Sequence, residues 1–89
     1  MRKRVDKNQN EIIKLYRQIG AGVVVLSDIG NGVTDILVGY QGKNYLVEIK
    51  NPNRKWKYTD KQKIWHESWP GQKAVIETKE DALKVIGII

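Results

Sequence analysis

A glutamate and a lysine stand two positions apart in the most strand-like run of the chain, residues 45–50. Successive side chains of a strand point to opposite faces, so Glu48 and Lys50 share one face with Leu46. Charged groups on an apolar strand cost free energy unless they are paired or bind a ligand. Exposed strands also carry such pairs as solvated ion pairs, so this pair needs further residues before it indicates a site.

Asp35 supplies that context. It lies at the start of a predicted strand that a tight hairpin joins to the strand of Glu48. Neighbouring strands are about 5 Å apart, so a carboxylate from each could share one metal ion. Mg²⁺ prefers oxygen ligands, and a bound metal polarises a phosphodiester and acidifies its water. Lys50 on the same face could orient that water or stabilise the phosphate. Asp35 could instead be a turn residue that accepts backbone hydrogen bonds.

The elements that must position these residues follow from periodicity and turn chemistry. The order is helix, three strands, helix, strand, helix, in one α/β domain spanning residues 1–89. The helix between the third and fourth strands is a crossover, so those two strands can lie parallel in a mixed sheet. We predict three helices: the first over 8–19, the second from a capping box at 59–62 to just before Pro70, and the third over 78–86. The predicted strands cover 23–26, 34–40, 45–50 and 73–77.

Composition narrows the class of protein and its partners. Sixteen Lys and Arg residues against ten Asp and Glu give a net charge of +6, which favours a polyanionic partner such as nucleic acid. A solvated basic surface without a partner is the alternative. The chain has no cysteine, which excludes disulfides and a thiol nucleophile. Since no apolar run is long enough to cross a bilayer, we expect a soluble, intracellular protein without a membrane partner.

Asp35 followed by Glu48-Ile49-Lys50 resembles the signature of the PD-(D/E)XK nuclease superfamily, and the predicted order αβββαβ resembles its core. Thr34 stands where the superfamily's name has a proline, which many members lack. Within the superfamily the chain is similar to the VRR-NUC domains, which occur alone in phages and attached to DNA-repair nucleases. Two further residues match that family, a glutamate on the first helix and a glutamine on the second, and these are Glu11 and Gln62.

The resemblance implies a mixed four-stranded sheet flanked by helices, with an added C-terminal helix. It implies a DNA endonuclease that uses Mg²⁺, with Mn²⁺ able to substitute, and leaves a 5′-phosphate without any small-molecule cofactor. Lys50 would position or activate the attacking water, and Gln62 would orient Lys50 or the scissile phosphate. The metal ligands would be Glu11, Asp35, Glu48 and the backbone carbonyl of Ile49.

Two of these residues have structural alternatives. Glu11 lies at the edge of the apolar arc of the first helix, where an acid is also favoured by the helix dipole. Gln62 is the reciprocal member of a capping box with Thr59. It also shares a helical face with Tyr58 and two tryptophans, which favours an inward direction.

The aromatic residues and the single histidine have mainly structural interpretations. Trp65 and Trp69 are predicted in the core or at a subunit interface. His66 is more often structural than catalytic in such a position, and zinc would need partners that the chain lacks. Trp56 differs because it is interleaved with basic residues, an arrangement suited to phosphate contacts and base stacking. A loop whose tryptophan folds back on the core is the alternative. The predicted DNA contacts are Arg2, Lys3, Arg4, Arg54, Lys55, Trp56, Lys57, Lys61 and Lys63.

A domain of this size covers little DNA, which favours a homodimer with two active sites. Similarity to phage-type, Holliday-junction-resolvase-like proteins then implies branched DNA as substrate, four-way junctions before flaps. It also implies the cytoplasm of a bacterium or of a phage-infected host cell. The competing classes are a non-catalytic DNA- or RNA-binding module that keeps the fold, and a sequence-specific nuclease of the restriction type.

Overall fold

The computed structural model describes residues 7–89, which form three helices and one four-stranded sheet, as predicted. Arg2, Lys3 and Arg4, three of the predicted DNA contacts, lie outside the described residues. The elements in chain order are α1 (Lys7–Gln18), β1 (Gly22–Val25), β2 (Ile36–Tyr40), β3 (Lys43–Ile49), α2 (Asp60–Ser68), β4 (Lys73–Ile76) and α3 (Lys79–Val85).

The sheet has the order β1-β2-β3-β4. β1 and β3 run antiparallel to β2, whereas β3 and β4 run parallel, so α2 is the predicted crossover in a mixed sheet. Gln41 and Gly42 both have positive φ angles, 49° and 78°, which is the geometry of a two-residue hairpin turn that follows the sheet's twist. β3 therefore begins at Lys43, two residues before the predicted start.

The predicted element ends differ from the observed ones by at most two residues. β2 begins at Ile36, so Thr34 and Asp35 precede the strand instead of opening it. Lys50 likewise follows the last residue of β3. Helix and strand ends are the least determined part of a sequence pattern, because the terminal residues have only part of their hydrogen-bond partners.

One face of the sheet carries the apolar core. The side chains on this face pack against α1 and α3, and the Tyr16 hydroxyl donates a 2.8 Å hydrogen bond to the carbonyl of Ala82 across the two helices. Burial of these residues is the main stabilising contribution in a domain of this size. The fully or nearly fully buried members are Ile12, Ile13, Tyr16, Ala21, Ile36, Val38, Val47, Ile49, Ile76, Ala82 and Ile86.

The opposite face carries α2 and the charged residues of β3. The register sets Glu48 beside Val75 of β4, and both side chains point away from the core because Val47 and Ile49 point into it. Trp65 and Trp69 of this layer were predicted in the core or at a subunit interface, and the core position is wrong. Trp65 is half-buried, Trp69 is 41% exposed, and neither belongs to the core cluster. The two rings stack on each other instead.

Two devices fix the start of α2. Thr59 and Gln62 form the predicted capping box, in which each side chain accepts a hydrogen bond from the other's backbone N–H. Gly32, in the loop before β2, lies against the backbone of Lys61, where any added Cβ would collide with the Lys61 carbonyl. Within residues 7–89 none of the helices is long and apolar enough to cross a bilayer.

Candidate metal centre

Asp35 is fixed between the ends of two strands. Its backbone carbonyl accepts a 2.8 Å hydrogen bond from the N–H of Leu26, and its Oδ2 accepts a 2.7 Å hydrogen bond from the N–H of Ile49. Because the pairing of β2 and β3 ends at Ile36, Asp35 lies opposite Glu48, one residue beyond the ladder. The glycine-rich turn before β2 thus places a carboxylate next to that of Glu48.

The two oxygens of Glu48 have different partners. Oε2 is 3.3 Å from Nζ of Lys50 and accepts a 3.5 Å hydrogen bond from Nε2 of Gln62. Oε1 is buried and has no hydrogen-bond partner among the described residues. The whole side chain is only 3% exposed. Burial, with a further contribution from the nearby Asp35 carboxylate, raises the pKa of Glu48 to about 7, although Lys50 opposes the rise.

Lys50 is enclosed by an acid and two aromatic rings. Its side chain is 14% exposed, and Nζ lies 5.2 Å from the ring centroid of Trp56 and 5.8 Å from that of Tyr58. The two rings are themselves in contact, with centroids 5.4 Å apart. Both distances allow cation–π attraction, which adds to the ion pair with Glu48. These rings therefore limit both the movement and the hydration of the Lys50 ammonium.

Gln62 combines its predicted capping role with a contact to Glu48. Oε1 accepts a hydrogen bond from the N–H of Thr59 in the capping box, while Nε2 donates to Oε2 of Glu48. The two ends of one amide thus join the start of α2 to the charged face of β3.

Glu11 is not brought to the carboxylate pair. It is exposed and lines a shallow pocket of about 250 Å³ together with Asn51 and Asn53. Among residues 7–89 no group of three Asp, Glu, His or Cys side chains is close enough to hold a metal ion. The carbonyl of Ile49 is better placed, because the N–H and C=O of a strand residue point to the same side and its N–H points to Asp35.

The donors at this place nevertheless fit a hard divalent cation. Mg²⁺ is commonly bound by one or two protein carboxylates together with waters and substrate phosphates. Two carboxylates lie side by side, close enough to share a proton, and no N–H donor of residues 7–89 reaches the buried Oε1 of Glu48. A cation between Asp35 and Glu48 would bind that oxygen and offset both causes of the raised Glu48 pKa, burial first and the Asp35 carboxylate second.

Two residues near the centre were not selected by the sequence. Asn8 of α1 donates hydrogen bonds of 2.9 Å and 3.0 Å to the carbonyls of Lys50 and Glu77, and so ties α1 to the ends of β3 and β4. Tyr58 was grouped with the aromatic face of α2, but no pattern indicated that its ring would lie against Lys50. The only available signal was its spacing from Gln62.

The predicted basic residues within the described chain surround this face. All of them are exposed, and Trp56 between them is 41% exposed while packing on Tyr58. They lie in the loop that follows Lys50 and in the first turns of α2, the helix whose Gln62 contacts Glu48. These residues are Arg54, Lys55, Lys57, Lys61 and Lys63.

His66 has a packing role in this layer. It is buried and its imidazole stacks on Tyr58, with ring centroids 4.6 Å apart. Burial, followed by Lys73 and Lys50, lowers its pKa, so the ring is neutral near pH 7.

No family model, no curated protein and no solved structure matches this chain. The geometry of the site and the motif residues are therefore the basis for a proposed function.

Proposed function

We propose that the chain is a metal-dependent DNA endonuclease with a PD-(D/E)XK core of the VRR-NUC type. The observation that carries the proposal is the Glu48 carboxylate, which is buried beside Asp35 with one oxygen unpartnered and the other bound to Lys50. A structural ion pair would need Lys50 alone. A second acid and an unpartnered oxygen favour a cation site.

Asp35, Glu48 and the Ile49 carbonyl would hold Mg²⁺ or Mn²⁺, with Glu11 as a ligand only if α1 or its side chain moves. When bound, the metal would polarise the phosphodiester and acidify a water, leaving a 5′-phosphate on hydrolysis. The remaining work belongs to the protein. Lys50 donates hydrogen bonds to the water or to a phosphate oxygen, and the Trp56 and Tyr58 rings keep it in place.

DNA is the proposed substrate because the basic residues lie beside the site and the chain carries a net charge of +6. The proposed form of the substrate is branched DNA, with four-way junctions before flaps, and the proposed place of action is the cytoplasm.

A homodimer would make the paired cuts that a four-way junction requires. Among residues 7–89 β1 and β4 are the two edge strands of the sheet. Val24 and Val25 of β1 are 54% and 46% exposed, so β1 is the strand along which a second copy would pair. Sedimentation of wild type against Val24→Lys tests the dimer, which the variant should weaken.

A non-catalytic nucleic-acid-binding module is the second candidate, and the position of Glu11 outside the carboxylate pair favours it. It would keep the basic surface and bind DNA without cutting it.

The deciding experiment compares labelled four-way junction and linear duplex, with Mg²⁺ and with chelator. Wild type should cut the junction only with the metal, and Glu48→Gln should bind but not cut. Glu80→Gln, an equal change at an exposed site on α3, is the matched control and should cut normally. Binding without cutting by wild type would refute the enzyme in favour of the module. Equal cutting by Glu48→Gln would refute the site.

A further inference from the structure

A pocket of about 510 Å³ lies beside the candidate metal centre, between α2 and β4. Val75, the β4 partner of Glu48 in the sheet, lines it. Tyr58 also lines it, and the same ring lies 5.8 Å from Nζ of Lys50. The pocket and the carboxylate site are therefore neighbours with a shared wall. The proposed chemistry gives the pocket no role.

An aromatic surface forms one wall of this pocket. The rings of Tyr58 and His66 stack with an angle of 24° between their planes. Trp65 and His66 make an edge-to-face contact, with ring centroids 5.0 Å apart. His66 is 7% exposed, and its Nε2 has no hydrogen-bond partner among the described residues. A buried ring nitrogen without a partner destabilises the folded state.

Charged groups border the same pocket. Lys63 of α2, Lys73 of β4 and Glu67 line it, and the Lys73 charge is close enough to His66 to lower the pKa of its imidazole. Lysines suit a phosphate, and a carboxylate accepts hydrogen bonds from the exocyclic amine of a base. The volume is in the range of pockets that bind small organic molecules. An aromatic wall with phosphate-binding cations and a polar acceptor matches the parts of a nucleotide.

We infer that this pocket binds one unpaired nucleotide of the DNA, with its base against Tyr58 and His66 and its phosphate beside Lys63 and Lys73. The inference rests on the proposed function, since DNA is taken as the ligand. A base inside an intact duplex is stacked between its neighbours and cannot enter the pocket. The pocket therefore selects DNA with an unpaired nucleotide next to the metal centre over continuous duplex.

The test uses binding in chelator, where no cutting occurs. Three short DNAs differ only at one position: an unpaired deoxyadenosine, an abasic residue in its place, or no extra residue. Loss of the contacts that the base makes with the pocket predicts that wild type binds the first about tenfold more tightly than the second. Because His66 is the only histidine of the chain, its imidazole proton resonance reports on the pocket directly, and only the first DNA should shift it.

Variants assign the discrimination to the pocket. Tyr58→Leu and His66→Gln should bind the base-containing and abasic DNAs equally. Lys14→Gln, at an exposed site on α1 that lines a different pocket, should keep the tenfold ratio. The ratio in wild type does not depend on whether any variant folds.

The outcomes separate this inference from the proposed function. If the protein distinguishes base-containing from abasic DNA but never cuts DNA, the pocket inference is supported and the nuclease proposal is refuted. Normal cutting by a protein with equal affinity for base and abasic DNA, and an unmoved His66 resonance, would overturn the pocket. An equal shift of the His66 resonance with inorganic phosphate alone would also overturn it, because the pocket would then bind an anion without a base.

Discussion

At the scale of single residues, the unequal surroundings of the two Glu48 oxygens decide what can bind there. Oε2 already has a cation and an amide donor, so a ligand gains most at Oε1, which has neither. A proton and a divalent cation are the two candidates for that oxygen. Because the pKa of Glu48 is about 7, the two compete near neutral pH.

This competition predicts how metal affinity depends on pH. Below pH 7 a metal must displace the Glu48 proton, so the affinity for Mg²⁺ or Mn²⁺ should rise about tenfold per pH unit and become constant above pH 7. Calorimetric titration with Mn²⁺ measures it. An affinity that does not change between pH 5 and 7 would contradict a metal on Glu48.

The same pKa predicts the stability of the metal-free protein. Between about pH 4.5 and 7 the unfolded chain has lost the Glu48 proton while the folded protein retains it. The folded state then binds more protons, so this carboxyl makes the free energy of unfolding fall as pH rises through that interval. Urea unfolding in chelator at both pH values measures the fall, and Glu48→Gln should remove this component of it. The difference between the two proteins isolates Glu48 from His66, whose lowered pKa acts in the opposite direction.

Gln62 can be tested for its two roles separately. Gln62→Glu keeps an oxygen acceptor for the Thr59 N–H but replaces the donor to Glu48 by a third carboxylate. We expect cutting to fall about 10- to 100-fold with little change in helix capping. Thr59→Ala is the matched control, since it should cost about 1 kcal/mol of stability and leave the cutting rate nearly unchanged. Full activity of Gln62→Glu would limit Gln62 to capping.

At the scale of elements, the sequence predicts what depends on local pattern. Alternation predicted that Glu48 of β3 and Lys50 just after it share one side of the sheet, and the two side chains are in contact. The capping box predicted the start of α2, and the crossover predicted that β3 and β4 are parallel. The position of Glu11 could not be predicted, because it depends on how α1 is rotated against the sheet. The rings over Lys50 could not be predicted either, since residues 51–59 have no periodicity.

The approach of α2 to β3 depends on one glycine, and this can be tested. Gly32 has a φ of 81° and touches the backbone of Lys61, whereas Gly30 has a φ of 78° and no neighbour within 4 Å of an added Cβ. Gly30→Ala should cost only the strain of its backbone, about 1–2 kcal/mol, and cut normally. Gly32→Ala should cost more and also cut more slowly, because it pushes Gln62 away from Glu48.

Urea unfolding and single-turnover cutting of both variants give the two measurements. Equal loss of stability and equal rates in the two proteins would show that the contact between Gly32 and Lys61 does not position α2.

At the scale of the whole molecule, the two faces of the sheet contribute differently, one to stability and the other to the candidate site. α1 and α3 bury the apolar face, which stabilises the domain, while the opposite face is covered only in part by α2 and keeps acids, a lysine and aromatic rings together. Exposed cations lie on both sides of the sheet, and five of them belong to the loop after Lys50 and to α2: Arg54, Lys55, Lys57, Lys61 and Lys63. We propose that DNA meets the protein at these five.

That distribution predicts the salt dependence of DNA binding. Each phosphate contact contributes roughly 0.9 to the slope of log affinity against log salt concentration. Replacing Arg54, Lys55 and Lys57 together by glutamine should reduce the slope by about 3, measured by fluorescence anisotropy in chelator. The control carries the same charge change elsewhere, at the exposed residues Lys14, Lys79 and Lys84 of α1 and α3, and should keep nearly the full slope. Equal losses in both proteins would mean that DNA responds to net charge alone, and the basic loop beside Lys50 would then not be the binding surface.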